Sequence, residues 1–249
     1  MRSVSLANSV ARVVSPRASG RLQLSVALAV SSFAFAAIAR DSVVDATARL
    51  AAFSEVVIDT VGEVRLVPGS DFGYSLQAAP QVLKALEFKV TKNVLHIAAK
   101  TSFQTDAPVR MTITLPQLDR ADLSGSANVD SGVPTGRKFT LSVSGAGNYV
   151  GREANCNLAV IDVSGSGEAN LAGRCAELQL KVSGAGDAKL RQFWVDTATV
   201  TNDGSGNCEV AVSKTLHARI GGSGDITHAG NPRVIQAVSG SGSVSRSGM

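Results

Sequence analysis

The sequence predicts an all-β chain built mainly as a right-handed parallel β-helix of about seven coils, with an antiparallel β segment covering its N-terminal end. Three observations predict this. An SG[S/A]-like motif returns at Gly125, Gly145, Gly165, Gly184, Gly204, Gly222 and Gly240, with gaps of 20, 20, 19, 20, 18 and 18 residues. A sustained period near ~20 residues marks a solenoid in which each repeat stacks on its neighbours. Apolar residues also alternate with polar ones on both sides of each motif, and aromatic residues make up only 4% of the chain against 24 glycines, which suits thin, closely stacked layers.

The chain opens with Arg2, Arg12, Arg17 and Arg21 ahead of an apolar run, residues 22–38, that closes in Ala37-Ile38-Ala39. A basic region, a short apolar stretch and an A-x-A site predict a secretory signal peptide over residues 1–39, cleaved after Ala39. Without it the mature chain keeps 20 Lys and Arg against 20 Asp and Glu, so its formal charge is zero. A neutral surface gives no support for nucleic acid as a partner, and the mature chain has no further apolar run long enough to span a bilayer.

Residues 40–120 have a different texture, and are expected to form hairpins that cap the solenoid. "VVIDTVGEVRLVPG" alternates about Gly62 and "ALEFKVTKNVLHIAAK" alternates about its TKN turn. Capping is needed because an exposed end strand invites uncontrolled pairing. The repeats then occupy residues 121–249, and residues 40–249 read as one continuous domain.

Within the repeats, the position two before the motif glycine is Leu123, Val143, Val163, Val182, Asn202, Ile220 or Val238. Four before it stand Ala121, Leu141, Ile161, Leu180, Val200, Ala218 and Gln236. This is one inward face of a strand, and a second short strand follows each motif. No repeat carries a helical pattern, so leucine-rich and βαβ solenoids are disfavoured. Crossovers between parallel strands are nearly always right-handed, hence the handedness.

The motif glycines are expected to be structural. Gly125, Gly145 and Gly147, Gly165 and Gly167, Gly184 and Gly186, Gly204 and Gly206, Gly222 and Gly224, and Gly240 and Gly242 would supply positive φ at a corner without a Cβ that strikes the next coil. No Lys-Ser/Thr follows them, which argues against a phosphate loop.

Three residues after the first glycine a polar column runs through Asn128, Asn148, Glu168, Asp187, Asn207, Asp225 and Ser243. Asn and Asp suit turns, the preferred reading, and a calcium ladder is the functional alternative. Cys156 and Cys175 both lie nine residues before their next motif glycine. The register therefore brings them within disulfide reach on adjacent coils in an oxidising compartment. Cys208 is expected to be a buried thiol, and the three histidines, His96, His217 and His228, to be surface residues without metal-ligand spacing. "RQFW", residues 191–194, is read as covering the core edge, with stacking on a sugar as the alternative.

The "NVLHI" strand, "ITLPQLDRADLSGSANVD" and the repeated "VSGAGN", "VSGSGE" and "VSGAGD" motifs resemble the head GIN domain family of auto-transporter adhesin heads, over about Phe53 to Val244. The resemblance implies an exported β-helical protein of a bacterial envelope and carries over no catalytic residues. The reading is a non-enzymatic adhesion or binding module whose partner is a glycan, an envelope component or a protein, with a homodimer through the C-terminal coil as a further expectation. The alternatives are a β-helical polysaccharide lyase or hydrolase and a structural scaffold. No cofactor is called for beyond the calcium alternative. The compartment, periplasm, outer surface or medium, is not specified by the residues.

Overall fold

A computed structural model describes residues 43–247. The apolar run and the cleavage point after Ala39 lie outside the described residues. Among the described residues, seventeen strands and one short helix form a β-solenoid of about six turns.

The long strands β11 (Tyr149–Val163), β12 (Ala169–Val182), β13 (Ala188–Asn202) and β14 (Cys208–Ile220) define the coil. They stack in parallel, with Ile161, Leu180, Val200 and Ala218 in register. Each long strand begins on the side that follows one motif, crosses a third side and ends on the side that precedes the next motif. Register shifts mark its corners, as between Gly151 and Ala154. Buried Ala159, Ile161 and Val163 alternate with half-buried Val160 and Asp162, so the period-2 pattern aims one set of side chains into the coil. Stacking these sets builds one continuous core column per inward position. Phe139 and Tyr149 are buried in it with ring centroids 6.2 Å apart.

The N-terminal segment departs from the sequence reading at Gly62. Strands β2 (Glu55–Asp59) and β3 (Val61–Pro68) are not a hairpin. β2 runs parallel to β8 (Leu118–Leu123) and β3 parallel to β9 (Ser126–Ser131). Only Thr60 lies between β2 and β3, too few residues for a chain reversal, which takes a two-residue loop at the least. Alternation fixes which side chains face in, and it does not fix which strand lies alongside. Gly62 does adopt a left-handed conformation, φ 120°, at this bend.

β6 (Val94–Ala99) and β7 (Arg110–Leu115) stack in turn on β2 and β3, so the β2/β3 layer is inserted between β6/β7 and β8/β9. The two outer edges of the β6/β7 layer are covered by antiparallel partners: β5 (Leu86–Thr91) on β6, and β4 (Gly73–Ala78) on β7. β5 and β6 form the second expected hairpin. Its two-residue turn places Lys92 and Asn93 at φ 49° and 71°, as a type I′ turn requires. β1 (Val44–Arg49) extends β4, and the helix α1 (Pro80–Ala85) buries Val82 and Ala85 between β4 and β5.

β10 (Thr135–Val143) joins this end to the long strands, pairing with β8 and β11, and at the other end the long strands give way to short ones. β16 (Arg233–Val238) pairs with β14, and β17 (Val244–Arg246) pairs with β15 (Ile226–Ala229). Among the described residues no strand covers the outer edges of β16 and β17, and Val234, Ile235 and Val238 are exposed.

Candidate binding surface

The motif corners show why the chain uses small residues. A Cβ on Gly165 would overlap the carbonyl oxygen of Gly145, and one on Gly184 that of Gly165. The second glycine of the motif repeats this up the stack. Gly167 lies against the carbonyl oxygen of Gly147, Gly186 against that of Gly167, Gly206 against that of Gly186, Gly224 against that of Gly206 and Gly242 against that of Gly224. These oxygens cannot retreat, since Gly145 O, for one, accepts the amides of both Ser166 and Gly167, at 3.0 and 3.2 Å.

The expected positive φ is corrected here. Gly125, Gly145, Gly147, Gly165, Gly167, Gly184, Gly186, Gly204, Gly206, Gly222, Gly224, Gly240 and Gly242 all lie outside the left-handed region. Among the described residues the left-handed glycines are Gly62, Gly173 and Gly230, none of them in the motif. Close approach of the neighbouring backbone, rather than φ, excludes a side chain.

The polar column is a hydrogen-bond ladder from coil to coil. Asn148 Oδ1 accepts the amide of Glu168 at 2.9 Å, and Asn148 Nδ2 donates to Asn128 Oδ1 at 3.0 Å. Asp187 Oδ1 accepts the Asn207 amide, Asn207 Oδ1 the Asp225 amide and Asp225 Oδ1 the Ser243 amide, at 2.7, 3.0 and 2.7 Å. Glu168 instead pairs with Lys189. The amide and hydroxyl of Ser243 hold the Asp225 carboxyl below its ordinary range. These oxygens are committed to backbone donors, and among the described residues no three His, Cys, Asp or Glu side chains gather as a metal site.

Cys156 and Cys175 are register partners, Cα 4.6 Å apart, and their sulfurs are joined. Cys208 is fully buried, and burial pushes its thiol up to about 12. Asn202 replaces an aliphatic residue in the core column and satisfies itself on its own turn: it donates to Gly206 O at 2.8 Å and accepts the Gly204 amide at 3.2 Å. His96 and His217 are exposed, whereas His228 is buried and corrects the surface expectation. It stands two residues after Ile226 on the inward period, where burial and Arg246 lower its pKa. The RQFW segment is divided by the same alternation: Phe193 is wholly buried, and Trp194 is 44% exposed rather than folded over the core edge.

Among the recesses that open on the outward faces of the described residues, two gather polar side chains from distant stretches of chain. The larger, about 720 Å³, lies at the N-terminal end on the side that follows the motif. Its charged lining is Glu63, Arg65, Arg110, Asp130 and Arg152, drawn from β3, β7, β9 and β11. Arg110 Nε donates to Glu63 at 3.0 Å, and Arg152 makes a two-pronged pair with Asp130 at 2.8 and 3.0 Å. Arg152 and the charge of Arg65 hold the Asp130 carboxyl below its ordinary range. Arg65 makes no ion pair among the described residues, so one guanidinium is in excess of the carboxylates. No local pattern in the chain signals this cluster, since its members span residues 63–152 and meet only because β3 is inserted beside β9. The smaller recess, about 500 Å³, lies on the third side around Trp194 and the joined cysteines.

A family profile described as "Putative auto-transporter adhesin, head GIN domain" matches residues 52–232. No curated protein matches the chain. Among solved structures, an adhesin-titled protein of Bacteroides fragilis superposes with a TM-score of 0.78 at 17% identity, covering 83% of this chain and 97% of that one. One so titled from Parabacteroides distasonis gives 0.65 at 22% identity, with coverages of 83% and 97%. A protein of the same organism, titled as lipid binding, gives 0.67 at 17% identity, again with coverages of 83% and 97%. At such identities the likeness shows the shared fold.

Proposed function

The chain belongs to the head GIN domain family, and from that membership we propose that it is an exported, non-enzymatic adhesion module that holds an envelope or surface ligand against the outward faces of its solenoid. The observation that carries this reading is the arginine-lined groove. It is concave, of ligand size, and built on hydrogen-bonded strands, so little ordering is needed when a ligand docks. Its chemistry suits contact better than catalysis. A general acid needs a carboxyl that keeps its proton near neutral pH, and Asp130 is shifted the opposite way by Arg152. Export is supported by the N-terminal leader pattern and by the paired cysteines, which persist in an oxidising compartment. Among the described residues no helix is long and apolar enough to cross a membrane.

The test is binding of the purified chain to immobilised envelope material, with released saccharide measured in the same samples. Saturable, salt-sensitive binding without product is the expected result, and Arg65→Glu should weaken it. Product released in proportion to the chain added overturns the reading in favour of a β-helical lyase or hydrolase.

A further inference from the structure

The third side of the coil carries a row of outward side chains on three successive layers. Asn155 is the register partner of Arg174, and Arg174 that of Trp194. Trp194 has a firm seat. Its partner on the next coil, Ala211, is fully buried, and its Cζ3 stands 3.4 Å from where a Cβ would project from Gly230, one coil further. The indole thus lies along two coils with close to half of its surface open to solvent. Around it the recess is polar. Asp196 and Ser213 border it, and the Asp196 carboxylate is fixed by Ser213 Oγ at 2.9 Å and Lys214 Nζ at 3.0 Å. Cys156 and Cys175 stiffen its floor.

A sugar ring presents an apolar face of C–H groups and an edge of hydroxyls. Its natural receptor is one flat aromatic surface surrounded by planar hydrogen-bonding groups. We propose that this recess is a saccharide subsite, in which a pyranose ring stacks on Trp194 while its hydroxyls are held by Asn155, Arg174 and Asp196. The proposal rests on the binding-module reading and gives it a ligand class. Asp196 and Asn155 accept from ring hydroxyls, and Arg174 donates to them. The volume of about 500 Å³ suits one or two sugar units. A protein partner is less well served: the exposed apolar area here is a single indole, and the other large exposed apolar side chains of the repeats, Val234, Ile235 and Val238, lie on β16, on another side of the coil.

Trp194 is the only tryptophan of the chain, so emission excited at the red edge of the absorption band, where tyrosine does not absorb, reports this site alone. Titration with chitotetraose, cellotetraose, maltotetraose and tetragalacturonate should give a saturable emission change with at least one of them. Calorimetry should then show Trp194→Ala losing about tenfold in affinity for that sugar, the upper range for one stacked ring, and Trp194→Phe retaining most of it. Silence with all four sugars overturns the proposal, as does unchanged affinity in Trp194→Ala. The same preparations applied to envelope material separate this failure from that of the broader reading. Native binding to the envelope with silent sugars rejects only the saccharide subsite, and an emission change with envelope protein alone does the same. Absence of both kinds of binding rejects the adhesion module with it.

Discussion

Gly165 carries the sharpest residue-level consequence of stacking. Its α-hydrogen points at the carbonyl of Gly145, which is already held by two amides of the turn. Gly165→Ala is expected to lower stability by about 3 kcal/mol, the upper part of the range for overpacking, because the obstacle is backbone that cannot rotate away. Urea unfolding monitored by circular dichroism would check it, and a change under half that size would show that the coils can part locally. The ladder residue Asp225 makes a pH prediction. Its folded pKa lies below the ordinary carboxylate value of 3.8, so its stabilising bond to Ser243 is present above that value and is lost as pH falls through the folded pKa. Asp225→Ala should therefore be less stable than the parent at neutral pH, and the gap should close as the pH is taken below 3.8. Thermal melts of both proteins across that range read the difference directly.

At the scale of the element, β11 and β12 are held together twice, by the parallel ladder and by Cys156–Cys175. The cross-link closes a loop of 19 residues. On the loop-entropy argument, replacing both cysteines by serine should cost about 3 kcal/mol. Since the strands are in register without the bond, the variant is expected to keep the native far-ultraviolet spectrum and lose only midpoint in urea. A collapsed spectrum would mean that the bond sets the register rather than securing it. The Cys208 thiol, buried with a pKa of about 12, offers no thiolate in the folded state and so leaves a single-cysteine background for such work.

Across the whole molecule the two ends are unlike. The N-terminal layer is covered by β4 and β5, whereas the outer edges of β16 and β17 have no partner strand among the described residues. In a one-dimensional stack, opening starts where a layer has one neighbour instead of two. Amide hydrogen exchange is expected to be fastest in β16 and β17, slowest in β12 and β13, and graded between them. Uniform exchange along the stack would show that the solenoid opens as one unit.

The sequence by itself determined the repeating part of this protein. A motif every ~20 residues, flanked by alternating apolar positions, has one economical solution, because each such repeat can bury its apolar side only against its own copies. Ile161 over Leu180, Cys156 over Cys175 and the Asn148-to-Ser243 column all follow from counting. Tertiary structure alone decided what depends on neighbours that counting does not supply. Thr60 occupies the corner position that a motif glycine fills in the repeats, and β3 slides between β7 and β9, so Arg65, Arg110 and Arg152 converge from three distant stretches of chain. Trp194 faces out and Phe193 in because the bend after Leu190 resets the alternation there, a shift of register that the pairing of β13 with β12 and with β14 reveals. Periodicity is a local property and is written in the chain, while the choice of neighbours is made by the whole core at once.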